Sequence, residues 1–139
     1  MELECERDRG KQPTVLCLRK ETCQNKDFRA TVWTGEHLQL TVMSIPVGGE
    51  IGLERHDELD QLLYIESGFA KIYLGKTKES LSCLGTGASG NAVLIPACTW
   101  HNLVNAQNIP VKLFSVYAPP QHPFCTVHKT KQEADLAES

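Results

Sequence analysis

The chain has 139 residues, of which 41% are apolar and 22% charged, ordinary proportions for one folded domain and a composition that excludes global disorder. A net charge of −3, a pI near 5.9 and no run of Lys or Arg longer than two remove the electrostatic footprint of a nucleic-acid binder. No apolar stretch approaches the ~20 residues that span a bilayer, and the N-terminus, MELECERDRGKQP, is charged where a signal peptide is apolar, so a cytoplasmic location away from the membrane is expected.

Residues 1–26 are polar and without sustained periodicity, and read as an N-terminal arm with one short helical turn near Lys20–Asn25. From Phe28 the texture changes. FRATVWTG and HLQLTVMSI alternate β-branched or aromatic residues with polar ones, the pattern of half-buried strands, and Thr34-Gly35-Glu36 between them reads as a hairpin connection. Further strand candidates follow at short intervals: GLERH, QLLYIE, AKIYLG, ESLSCL, NAVLIP, HNLVNA and PVKLFSVYA. Turn signals separate them, among them Pro46–Gly49, Ser67-Gly68, Gly75, Gly85–Gly90 and Asn105–Pro110. No capped helix with an apolar stripe interrupts the region. About nine short strands with regular turns predict an all-β sandwich or small barrel, with a barrel domain over 27–120. The extension 121–139 ends in KTKQEADLAES, whose composition predicts a short C-terminal helix.

Six cysteines, Cys5, Cys17, Cys23, Cys83, Cys98 and Cys125, form no C-x-x-C pair and no tight cluster. They are expected to be reduced thiols, several of them serving as small buried apolar residues.

Two segments carry chemistry. In GGEIGLERHDELDQLLYIESG, Glu54 and His56 stand two apart on an expected strand, so their side chains leave one face. Gln61 opens the next strand; a hairpin between the two would return it to face the first pair. In GNAVLIPACTWHNLVN, His101 begins a strand after the Pro96 turn and is placed to supply an imidazole from across the barrel. Taken singly, each of these is an unremarkable strand residue. Together they form a mixed nitrogen and oxygen set suited to Fe, Mn, Ni, Zn or Cu. His37 and His122, beside a turn and among prolines, are given no metal role.

The two segments resemble the paired motifs of the cupin superfamily, G-x5-H-x-H-x4-E-x6-G and G-x5-P-x-G-x2-H-x3-N. Gly48, Glu54, His56, Gln61 and Gly68 fall in register with the first, and Gly90, Pro96, His101 and Asn105 with the second. Cys98 replaces the middle Gly. The flanking sequence, FRATVWTGEHLQLTVMSIPVGGEIGLE and APPQHPFCTVHKTK, is similar to small single-domain bacterial cupins that often carry a mannose-6-phosphate-isomerase-like label. The resemblance covers roughly residues 20–133. It implies the double-stranded β-helix, or jelly-roll barrel, with a divalent transition metal (Fe, Mn, Ni or Zn) on Glu54, His56, Gln61 and His101, and it favours a homodimer, to which the arm has the option of adding a strand.

This chain departs from the family pattern at two ligand positions. Glu54 stands where the first His is usual, and Gln61 where the Glu is usual, so the set keeps one carboxylate but relocates it. With Gln61 bound weakly, Glu54, His56 and His101 leave a two-His-one-carboxylate face with open positions, as in non-haem Fe(II) sites; Zn or Mn acting as a Lewis acid fits equally. Asn102, Asn105 and Thr99 are neighbours able to orient a ligating His, although turn and strand-end hydrogen bonding is their simpler role. Glu58, Asp60 and Tyr64 are the nameable general bases, and Tyr64 and Tyr73 the tyrosines considered for the barrel interior. No Lys or Arg is evident inside it, Arg55 alternating away from the ligands. Three functions are weighed: a metal-dependent enzyme of oxygenase or isomerase type on a small organic molecule; a non-catalytic cupin that binds a small molecule or metal as a sensor or accessory protein; and a barrel that has lost its metal and serves only as a folded dimer, which the two changed ligand positions support.

Overall fold

The computed structural model describes residues 5–138. The chain order is α1 (Leu18–Gln24), β1 (Arg29–Thr34), β2 (Gln39–Ile45), β3 (Asp60–Ser67), β4 (Ala70–Gly75), β5 (Ser82–Gly87), β6 (Ala92–Ile95), β7 (Trp100–Val104), β8 (Val111–Ala118), β9 (Val127–His128) and α2 (Lys131–Glu138). The strands form a six-stranded sheet, β6-β3-β8-β2-β1-β9, facing a three-stranded sheet, β5-β4-β7. This is the all-β jelly roll with a short C-terminal helix that the sequence predicts. The hairpin at Gly35 forms, its N–H bonding the Leu38 carbonyl at 2.8 Å.

The inward side chains of the large sheet are graded along the strands, because side chains alternate faces with period two. β2 contributes Gln39, Thr41, Met43 and Ile45; its partner β8 contributes Tyr117, Ser115, Leu113 and Val111; β3 adds Gln61, Leu63 and Ile65, all in register across the three strands. One end of the interior is therefore polar and the other aliphatic. The aliphatic end, joined by Leu103, Ile72, Ile51 and Phe28, is the main core. Its burial, at roughly 1.5–3 kcal/mol for each large side chain, holds the two sheets together, and the polar end is free to serve as a site.

One expected strand is not a ladder. GLERH is bridged to β7 only at Glu54, opposite His101. The Asn102 side-chain oxygen accepts the Gly52 N–H at 2.9 Å, and Gly52 has φ +105, so the backbone leaves the strand conformation there. The short β9, absent from the predicted strands, pairs with β1.

The cysteine expectation is overturned. Cys5 and Cys125 form a disulfide across a separation of 120 residues, and the four free thiols, Cys17, Cys23, Cys83 and Cys98, are exposed rather than buried. The fold lays the arm against the loop before β9. Asp8 carboxylate oxygens accept from the Cys125 N–H (3.0 Å), the Gly10 N–H (2.9 Å) and the Thr34 hydroxyl (2.7 Å). Arg7 pairs with Asp27 at 2.6 Å. The helical turn expected at Lys20–Asn25 is α1, packed over β8, β3 and β2.

Motif glycines meet a backbone need. Gly68 has φ +92, and a Cβ there would stand 2.6 Å from the Pro110 carbonyl oxygen, so another residue would displace the strand connection. Cys98, which replaces a motif Gly, also has positive φ, at 66°. It is strained where Gly would not be.

Candidate metal centre

Glu54 and His101 are direct partners across the isolated bridge. The Glu54 N–H donates to the His101 carbonyl at 3.0 Å, and the His101 N–H to the Glu54 carbonyl at 2.9 Å. His101 thus stands beside Glu54 rather than across the barrel. Two residues on, His56 faces the same way, its own carbonyl accepting the Cys98 N–H at 2.7 Å. The Glu54 Oε2 lies 3.3 Å from His56 Nε2 and 3.7 Å from His101 Nε2, and one ligand atom from each of the three residues falls within 4.8 Å of the other two. Gln61 comes from β3 of the opposite sheet, with Ile95 and Tyr117 as register neighbours, so the hairpin expected between the Glu54 and Gln61 segments does not form.

Tautomer logic fixes what these atoms offer. The Thr99 backbone carbonyl, 2.9 Å from His101 Nδ1, accepts its proton, leaving Nε2 with a lone pair toward the carboxylate. This is the orienting bond that a ligating His requires, supplied by main chain and not by the side chains considered. Asn102 and Asn105 have the simpler role: Asn105 Nδ2 donates to the carbonyls of Ile45, Pro46 and Ile109. Gln61 Nε2 donates to Ser115 Oγ at 2.9 Å, which directs its Oε1 elsewhere.

Glu54 Oε2, His56 Nε2, Gln61 Oε1 and His101 Nε2 are all buried and have no hydrogen-bond partner among the described residues. Buried polar atoms are ordinarily satisfied, and leaving one bare costs about 1–3 kcal/mol. Glu54, His56 and His101 thus form a group able to hold a cation, and Gln61 Oε1 is a fourth unpartnered atom on a motif position. Without a cation, an imidazole must carry a proton on Nε2 to face the carboxylate. Burial alone pushes the Glu54 carboxyl up, but His101, His56 and Arg29 outweigh it and hold the group well below the usual carboxylate range. A divalent ion held there would take the place of that proton.

Around the three residues lie groups that the sequence reading missed. Arg29 is 1% exposed, with Nη2 3.6 Å from Glu54 Oε1 and Nη1 3.4 Å from Glu138 Oε1. A cation therefore does face the interior, contrary to expectation; only the alternation of RATVWT, which puts Arg29 in phase with Thr31, hinted at it. Tyr117, not Tyr64 or Tyr73, is the tyrosine within. Its ring meets His56 edge-on at 5.9 Å and His122 at 5.2 Å. Tyr64 stacks on Phe114 and, with Tyr73, alternates out of phase with the buried positions of its strand. Glu58 and Asp60 are exposed, Asp60 accepting the Ala97 N–H at 2.9 Å, and neither is a base for the interior. Arg55 pairs outside with Asp57. His122 completes the lining: Gln39 clamps its backbone through N–H to Oε1 (2.9 Å) and Nε2 to carbonyl (2.7 Å) bonds. Burial first, and then Arg29, push its imidazole down to about 3, so it is neutral near pH 7.

Two facing sheets whose polar end carries Glu54, His56 and His101 within reach of one ion define a small all-β barrel with a candidate metal centre. The comparisons give the family. Residues 41–117 match the family model for the cupin domain, and the chain belongs to the cupin family. It is 46% identical over 132 residues to the Bacillus subtilis protein YrkC, spanning 95% of this chain and 71% of that one. The solved structure of BH2720 from Bacillus halodurans superposes with a TM-score of 0.89 at 46% identity, covering 94% of this chain and 98% of that one. A double-stranded β-helix protein from Klebsiella pneumoniae matches with a TM-score of 0.64 at 17% identity, over 86% of this chain and 100% of that one, a likeness of fold alone.

Proposed function

We propose that this protein is a metal-dependent enzyme that acts on a small organic molecule inside the barrel, with Glu54, His56, Gln61 and His101 holding a divalent transition metal. The observation that carries this reading is the coincidence of the four orphaned acceptor atoms with the four motif positions. When bound, the metal supplies Lewis-acid polarisation or, as Fe(II) on a two-His-one-carboxylate face, dioxygen chemistry. Gln61, as a neutral amide oxygen, is the weakest of the four donors and the one a substrate displaces most easily.

The chain's own residues supply the rest. Burial above all pushes the Tyr117 hydroxyl up, so it keeps its proton. It lies 3.4 Å from His122 Nε2, and His122 Nδ1 lies 3.4 Å from Glu138 Oε1. Neutral His122 accepts from the tyrosine and donates to the glutamate, a chain able to hold or relay one proton at Tyr117 Oη. Arg29 fixes the Glu54 carboxylate through Oε1, leaving Oε2 for the metal. The aliphatic half of the interior closes the barrel behind the site and excludes water.

The isomerase-like label is the less favoured version for a phosphorylated sugar, since Arg29 is the single Lys or Arg whose ion pairs reach the site among the described residues, and it already faces two carboxylates. The test is turnover by metal-reloaded protein on a panel of small carbonyl, hydroxy and carboxylic compounds, with oxygen uptake recorded. Conversion that disappears on chelation and in Glu54→Gln supports the enzyme. Stoichiometric metal with no conversion and no oxygen uptake supports the non-catalytic binding cupin instead.

A further inference from the structure

Resting on that metal reading, the contacts of Arg29 identify a class of substrate. A guanidinium presents five donors in a planar fork suited to a carboxylate. Arg29 is 1% exposed, yet its Nε has no partner among the described residues. Its two remaining nitrogens meet carboxylates at 3.6 Å and 3.4 Å, both longer than a good charge-assisted bond of about 2.7–2.9 Å. Tyr117 is a further neighbour of the guanidinium, and the unpartnered Nε leaves part of the donor capacity of this buried charge unspent.

The two carboxylates differ in kind. Glu54 belongs to the barrel and to the metal set. Glu138 is the last residue of α2, and its side chain remains 40% exposed. It reaches the site because α2 is anchored one turn earlier by Ala134, 1% exposed against the core, while its start is capped by the Thr130 hydroxyl, which accepts the Glu133 N–H at 3.1 Å. Glu138 Oε1 then stands 3.4 Å from both Arg29 Nη1 and His122 Nδ1, within the polar end of the barrel and beside Tyr117.

Charge decides what this place accepts. With Glu54 Oε2 given to a divalent ion and Oε1 3.6 Å from Arg29, Glu54 satisfies the guanidinium only in part, and a buried charge without a full partner is strongly unfavourable. Glu138 provides one carboxylate. A ligand with one carboxylate replaces it without changing the net charge of the site and also gains the unused Nε. Phosphate would add a second negative charge beside Arg29, the single Lys or Arg whose ion pairs reach the site among the described residues.

We propose that Arg29 is the anchor for the carboxylate of a small carboxylic-acid substrate, and that the Glu138 side chain occupies this anchor in the ligand-free protein and withdraws when the acid binds. The C-terminal helix is then an intramolecular competitor, and its displacement opens the path to the metal from the His122 side.

The test is calorimetric titration of the full chain, loaded with zinc and, in parallel, treated with chelator, using lactate and pyruvate as probes with lactamide and inorganic phosphate as controls. If Glu138 holds the anchor about nine-tenths of the time, Glu138→Gln tightens lactate or pyruvate binding about tenfold. Arg29→Gln abolishes binding in either background, Arg29→Lys keeps part of it, and lactamide does not bind. Zinc uptake in the same samples reports separately on the metal reading. If zinc does not load, the comparison on chelator-treated protein is the criterion. The inference is overturned by carboxylate affinity that ignores Glu138→Gln, by absence of lactate and pyruvate binding to Glu138→Gln, or by phosphate binding as tightly as the acids. Should Arg29→Gln not fold, the Glu138→Gln result still decides, since that side chain is half-exposed at a helix end.

Discussion

His122 and Cys98 each hold a conformation or charge state that their residue type does not favour, and each gives a measurable consequence. The His122 imidazole, buried and close to Arg29, titrates at about 3 in the folded chain against about 6.5 when unfolded. Between those values the unfolded chain binds a proton that the folded chain refuses. Stability is therefore full above pH 6.5 and declines as pH falls, by up to about 1.4 kcal/mol per pH unit. In denaturant titrations at pH 6.5 and pH 5, the metal-free wild type should lose about 1–2 kcal/mol more than His122→Gln; equal losses would place the imidazole in contact with water. The window lies above the carboxylate range, so Glu54, held low, does not contribute to it. At Cys98, φ is 66°, which costs a non-glycine residue about 1–2 kcal/mol. Cys98→Gly should raise stability by about 0.5–1 kcal/mol after the added freedom of the unfolded chain is deducted, read as a higher denaturation midpoint. A lower midpoint would mean that the Sγ contact with the Asp57 carbonyl, 3.6 Å, outweighs the strain.

Among the elements, the N-terminal arm is held to the barrel by polar links and one covalent bridge more than by apolar packing. It carries few large apolar anchors: Val15 is fully exposed, Leu16 half-buried. Its hold on the barrel comes from Asp8, the Arg7–Asp27 pair and the Cys5–Cys125 disulfide. Closing a loop of 120 residues restricts the unfolded chain enough to contribute about 2–4 kcal/mol. Cys5→Ser should lower the unfolding free energy by that amount under oxidising conditions, and dithiothreitol should remove the difference between the two proteins. An unchanged midpoint in oxidising buffer would show that the bridge does not form in solution. The same elements explain the position of the metal set. β7 presents His101, the irregular segment bridged to it presents Glu54 and His56, and β3 presents Gln61 from the opposite sheet.

For the whole molecule, what could be read from the sequence was local. Period-two alternation located eight of the nine strands of the described chain, and the motif spacing singled out Glu54, His56, Gln61 and His101, of which the structure brings Glu54, His56 and His101 together, because each motif lies within about twenty residues. The remaining features depend on pairs far apart in the chain. Arg29 and Glu138 meet over a separation of 109 residues, Cys5 and Cys125 over 120, and Tyr117 faces inward because β8 pairs with β2 and β3 in one particular register. An Arg at the start of a strand and a Glu near the end of a helix are ordinary surface residues until topology brings them together. Pairing of the Glu54 segment with β7 instead of β3 was hidden for the same reason, since a short charged turn suggests a hairpin and only the assembled sheets show otherwise. Bound metal should also stabilise the entire fold, by about 2.7 kcal/mol at a hundredfold excess over its Kd, and more weakly once Gln61→Ala removes one donor; a thermal melt with and without metal reads this directly.

Whether the four unpartnered atoms hold a metal is tested most directly by elemental mass spectrometry, on protein purified without a metal-affinity tag beside a Glu54→Ala/His101→Ala double variant. About one divalent transition metal per chain in the wild type, and less than about a tenth of that in the variant, is the expected result. No metal in either protein, even after incubation with Fe, Mn, Ni and Zn, would contradict the claim.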